Sequence, residues 1–186
     1  MRLAAIFPKT PRSGGVAELR WSDGTVATTP LYTHPGRLPH DLEHYVVEAH
    51  VDLPFGFWAL AGAQTPFNSF TLVSGCWQRG ARERFERRAR KHPGAMLQGE
   101  AASFVHELAQ HEDDLTSAWS VLRRRIRRTY SYEADSPIGD LEVGDVRRII
   151  AFDRALHRTW ADLPVGGALQ VSWPPATDRM PTVISV

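Results

Sequence analysis

Residues 40–44 read His-Asp-Leu-Glu-His, two histidines four positions apart with an acid directly after the first. On an α-helix, side chains at i and i+4 lie one above the other, so both imidazoles can reach one metal ion. An acid beside the first histidine is the arrangement of zincin metallopeptidases, where it activates a metal-bound water. Random placement of this chain's eight His and 21 acidic residues gives about 0.04 such matches. The pattern therefore assigns His40 and His44 as ligands of a divalent cation such as zinc. It assigns Asp41 as the general base of a hydrolytic reaction. Zincins carry Glu at that place; Asp41 is one methylene shorter and must approach the water from closer in or act without touching the metal's own ligands.

Glu48 continues the same stripe, but eight residues cover about 12 Å of helix axis. That is too far for one ion to bind it together with His40, so Glu48 is assigned as the hydrogen-bond partner that fixes the tautomer of His44. A third ligand must come from elsewhere. Glu107 and His111 are four apart, as are Asp153 and His157, and His34 and His50 lie nearer in sequence. Nothing in the sequence chooses among them. A plainer account competes with the metal reading. Asp41 in a first helical turn suits the helix macrodipole, and both histidines flank the helix away from Leu42 and Val46, where exposed or core-edge histidines are common.

The elements that must position these residues follow from periodicity. Leu42, Tyr45, Val46 and Ala49 mark a buried helical stripe that begins near Pro39 and ends near Pro54. Before it, residues 1–37 read as strands and turns: VAELRW (16–21) alternates, Asp23-Gly24 is a hairpin dipeptide, and 25–31 is rich in Thr and Val. After it, residues 54–78 predict a short helix around Trp58 and a strand at Phe70–Val73. Helices are predicted over 79–91, 98–112, about Leu115 to Thr129 and about Val143 to Ala161. A strand, Ala168–Trp173, closes the pattern. Strands at both ends around a run of about five helices predict an α+β fold. In it, the C-terminal strand joins a small N-terminal antiparallel sheet. The expected domain spans 1–175, with a loose tail over 176–186.

The string Leu38-Pro39-His40-Asp41-Leu42-x-His44, with Val47-Glu48, Gly56-Phe57-Trp58 and Ala61-Gly62, resembles a group of short proteins of high-GC bacteria. The segment Gly166–Pro174 is similar to theirs as well. Two patches covering about a third of the chain carry the likeness. It implies that the His-Asp segment belongs to a shared fold and implies no activity.

Composition narrows the function classes. Hydrophobic residues make up 42% and charged ones 23%, which is enough apolar content to fold around a core. A net charge of +1 removes any argument from bulk charge for a nucleic-acid or membrane partner. A single cysteine, Cys76, excludes an internal disulfide and is expected to be a small buried residue. No apolar run is long enough to span a bilayer, and Pro8 interrupts the short apolar start, so a cytoplasmic location is expected.

Local charge supplies a second functional reading. Arg79–Lys91 carries seven basic and two acidic residues, and 123–128 reads RRRIRR. Such helices can track a phosphate backbone while Trp77 and Phe85 stack on bases, which would make the chain an interaction module for nucleic acid or an acidic protein. Solvated helix faces paired with the acidic blocks at 100–114 and 133–145 explain the same charges without a partner. A third reading is a structural component, self-associating or not, whose His-Asp cluster only packs and caps its helix.

Overall fold

Alternation in VAELRW turns Ala17, Leu19 and Trp21 to one face, and the strand they form lies near the centre of the sheet. The computed structural model describes residues 1–11, 14–33, 37–51, 53, 56–91, 108, 112–130, 138, 140–175 and 180–185. Its strands are β1 (Leu3–Pro8), β2 (Val16–Trp21), β3 (Val26–Pro30), β4 (Thr71–Ser74), β5 (Gly167–Trp173) and β6 (Thr182–Ser185). They make one antiparallel sheet in the order β4-β3-β2-β1-β5-β6. The fold is α+β, and the C-terminal strand joins the N-terminal strands through β1, where Ala5 pairs with Leu19 on one side and Val171 on the other.

Two expectations need correction. Residues Thr182–Ser185 were expected in a loose tail, yet they pair with Gly167–Gln170 as β6. Their β-branched Thr, Val and Ile suit an edge strand, a propensity that outweighs their position near the chain's end. Cys76 is exposed rather than buried, because it follows β4, an edge strand exposed at all four residues.

Among the described residues there are five α-helices: α1 (His40–Glu48), α2 (Phe57–Gly62), α3 (Ala81–Lys91), α4 (Leu115–Tyr130) and α5 (Val143–Asp162). The helix expected over 98–112 falls outside the described residues, apart from Leu108 and the start of a 3-10 turn, Glu112–Asp114, that leads into α4. A reciprocal capping box starts α5, with Glu142 and Asp145 each bonding the other's backbone N–H. At its far end Lys9, one of only two lysines, donates from Nζ to the Trp160 and Ala161 carbonyls at 2.7 and 2.8 Å. A cation on those terminal carbonyls ties β1 to α5. No helix among the described residues is long and apolar enough to cross a membrane.

The short α2 is pinned at both ends. At its C-terminus Gln64 takes the left-handed conformation, φ 55°, where glycine is usual, while Thr65 N–H reaches back to the Leu60 carbonyl at 3.0 Å. The conformation costs about 1 kcal/mol or more for a residue with a Cβ. It is offset by the Gln64 side chain, which is fully buried and donates to Asp23 Oδ2 at 2.7 Å. Trp21 Nε1 adds a bond to the Ala61 carbonyl at 2.9 Å. The N-terminal end is held by Trp58, which is 0% exposed and donates its indole N–H to the Asp41 carbonyl at 2.8 Å. Its ring lies 5.2 Å from Tyr45, 6.0 Å from Phe7 and 6.2 Å from Trp173, so α1, the sheet and α2 meet there.

Replacing Trp58 by Phe keeps most of the apolar volume but removes the indole donor. The expected loss is about 1–3 kcal/mol in urea unfolding, combining the lost bond with the smaller ring. An unchanged midpoint would show that the indole bond does not hold α2 in place.

Candidate metal centre

The predicted stripe Leu42, Tyr45, Val46 and Ala49 is buried, but burial extends further round α1 to His44, Val47 and Glu48. The reason is that α2 covers the flank that the stripe leaves open. His44 is thus 4% exposed, a core residue rather than a residue of the core's edge. His40 sits one turn earlier with 43% of its side chain exposed, and its backbone N–H bonds the Tyr32 carbonyl at 3.0 Å. The histidine pair therefore runs from solvent into the core.

The two rings meet edge to face at 83°, with Nε2 of His40 and Nε2 of His44 3.1 Å apart. Each Nδ1 faces a carboxylate instead. His40 Nδ1 lies 3.7 Å from Glu43 Oε2, and His44 Nδ1 lies 3.8 Å from Glu48 Oε1. Glu43 is itself held by Arg37 Nη2 at 3.1 Å. Its i,i+3 spacing from His40 is visible in the sequence, but an acid in a first helical turn is also what the macrodipole favours, so spacing alone does not single it out. The cluster has an internal symmetry: carboxylates on the outside, two Nε2 atoms converging inside.

Glu48 does more than face His44. Its Oε2 accepts the Trp58 backbone N–H at 2.9 Å, and it draws further on the N–H groups of Phe57 and Ala59. It thus caps α2, whose N-cap residue, Gly56, offers no side chain. A Cβ on Gly56 would stand 2.2 Å from Glu48 Oε2, so only glycine leaves room for the carboxyl group. Burial pushes Glu48 up to about 8, against the lowering pull of those backbone N–H groups, and the nearby Asp41 raises it further. Burial also pushes Asp41 up to about 6, opposed by the charge of His40. Asp41 therefore stands within electrostatic reach of both His40 and Glu48.

The remaining sequence candidates divide. Glu107, His111 and His34 lie outside the described residues. His50 donates its Nδ1–H to the Val46 carbonyl at 2.9 Å and packs its ring on Phe152, which accounts for it structurally. Asp153 and His157 face each other on α5 at 3.6 Å. Among the described residues, no group of three or more His, Cys, Asp and Glu side chains is disposed to hold a metal ion. The structure brings together His40, Asp41, His44 and Glu48, and adds Glu43.

Two consequences are testable. In the unfolded chain Glu48 ionises near 4.5, whereas in the metal-free fold it stays protonated up to about 8. The fold binds the extra proton between those values, so its stability is greatest at low pH and falls as pH rises from about 5 to 8. Urea midpoints of chelator-treated protein should show that fall, and Glu48→Gln should flatten its upper part; a flat wild-type profile contradicts it. Gly56→Ala should cost about 1–3 kcal/mol by displacing the carboxyl group. In a double-mutant cycle that cost should shrink when Glu48 is first replaced by Ala. Independent, additive losses would place the Glu48 carboxyl elsewhere.

Comparison with known proteins leaves the geometry to speak for itself: no protein-family model, curated protein or solved structure matches this chain.

Proposed function

We propose that the chain binds one divalent cation between Nε2 of His40 and Nε2 of His44 and uses it for hydrolysis. The observation that carries this reading is the convergence of the two Nε2 atoms at 3.1 Å, with a glutamate side chain facing each Nδ1. Two ligands of a tetrahedral zinc at 2.0–2.1 Å stand about 3.3 Å apart, so a small ring adjustment admits the ion. With the ring hydrogen on each Nδ1, 3.7 Å from Glu43 and 3.8 Å from Glu48, both Nε2 lone pairs point into the same space, and a small shift of either side chain would close a hydrogen bond. Lone pairs that close repel unless a proton or a cation lies between them. In the metal-free protein one ring donates its Nε2–H to the other; a bound ion would take that place, with the ring hydrogen then held on Nδ1 and any second proton released to solvent.

Asp41 supplies the base. A carboxyl group pushed up to about 6 is mostly ionised at neutral pH and basic enough to take a proton from a bound water. A catalytic site of this kind uses three protein ligands and leaves one position to water, so a third ligand would join His40 and His44, with His34, Glu107 and His111 the sequence candidates outside the described residues.

The same contacts support a second reading. Glu48 capping α2 and an N–H···N bond between the rings hold a helix pair together with no ion at all. The metal content of untagged protein, by elemental mass spectrometry, separates the two. The metal reading predicts near-stoichiometric zinc, manganese or iron that disappears in both His40→Ala and His44→Ala. Asp41→Asn should retain the ion and lose about 10²–10⁴-fold of any ester or phosphoester hydrolysis. Folded wild type without metal after growth in supplemented medium would leave the structural reading in its place.

A further inference from the structure

Helix α3 lies away from the histidine cluster's chemistry and carries a charge pattern of its own. Its sequence, ARERFERRARK, holds six basic and two acidic residues, four net positive charges against one for the whole chain. One of its two acids is already committed: Glu86 faces Arg82 at 3.6 Å and Arg90 at 3.8 Å, and both arginines remain more than half exposed. Arg84 is turned back onto the Arg79 carbonyl and Gln78. Arg87 is exposed and makes no hydrogen bond or ion pair with a described residue.

The helix is also a ridge between two clefts. On one side a cleft of about 420 Å³ is lined by Phe67, Asn68, Phe70, Trp77 and Arg82. On the other a cleft of about 380 Å³ is lined by Leu60, Thr65, Phe85 and Arg87. Ala81 borders both, and its small side chain keeps them close. The rings of Phe67 and Phe85 stand 6.1 Å apart across the ridge, and Trp77 stacks on Phe70 at 25°. Phe67, Trp77 and Phe85 are only partly buried, so each presents an aromatic edge or face to its cleft.

We propose that α3 and its flanking clefts bind single-stranded nucleic acid. Phosphates lie along Arg82, Arg87 and Arg90 on a ridge about 16 Å long, and unpaired bases enter the two aromatic clefts. Paired bases cannot reach the clefts, so a duplex gains only the charge contacts. An acidic protein would use the arginines but would leave the aromatic clefts unfilled, which makes it the poorer fit.

Fluorescence anisotropy with a labelled 12-nucleotide oligothymidine, at 50 to 200 mM salt in chelating buffer, tests the proposal. Three phosphate contacts predict a log–log salt slope of about −2. Arg87→Ala should weaken binding and reduce that slope by about 0.7, and Arg82→Ala should do the same. Both substitutions are at exposed positions, so circular dichroism should show an unchanged fold. A duplex of the same length should bind at least tenfold more weakly. Duplex binding of equal strength, tighter binding of polyglutamate than of the oligonucleotide, or no salt-dependent binding at all would each overturn the proposal.

Discussion

The candidate site depends on two hydrogen bonds made by one residue. Trp58 sends its indole N–H to the Asp41 carbonyl and its backbone N–H to the Glu48 carboxyl group, seven residues apart on α1. These bonds lock α2 against both ends of α1. They also fix where the Glu48 carboxyl group lies, and through it what faces the buried side of His44. Burying an acid is expensive unless hydrogen-bond donors meet it. Here the donors are the otherwise unsatisfied N–H groups at the start of α2, and the absence of a Cβ on Gly56 lets the carboxyl group approach them. The cap of α2 and the acid nearest His44 Nδ1, 3.8 Å away, are one group.

That double duty explains the shape of the cluster. Glu48 Oε2 stays with the Trp58 N–H while Oε1 stands 3.8 Å from His44 Nδ1, beyond hydrogen-bond reach, so the predicted hydrogen bond between Glu48 and His44 is not made. Glu43 stands 3.7 Å from His40 Nδ1 on the exposed side and is itself restrained by Arg37. The inner space is left to the two Nε2 atoms. Asp41 stays electrostatically close to both His40 and Glu48, and its raised affinity for protons follows from burial.

How much of this could be read in advance depended on whether the signal was local. Helix α1, the Asp23-Gly24 hairpin, α5 and β5 follow from periodicity and turn chemistry confined to a few neighbouring residues, and all four are present. The i,i+4 pairing of His40 with His44 was legible for the same reason. What was not legible is long-range. The burial of His44 comes from α2, more than ten residues away, which covers a flank that a single helix's pattern marks as open. Glu48 could be linked to His44 by spacing, but its use as the cap of α2 required knowing that Gly56–Trp58 would turn back onto α1. β6 was missed because a four-residue edge strand carries too little pattern of its own. Cys76 was misjudged because burial was inferred from residue type, whereas the open edge at β4 decides it.

In the proposed metal site both Nε2 atoms face one cation while Glu43 and Glu48 face the two Nδ1 atoms. Two-bond ¹H–¹⁵N correlation spectra of the imidazoles, recorded during titration with zinc, read all four nitrogens at once. Binding of one cation predicts that Nε2 of His40 and of His44 shift together and saturate at one equivalent, with both Nδ1 atoms protonated at saturation. Shifts at only one ring, or an unaltered pair of rings bridged by a proton at saturating zinc, would contradict it.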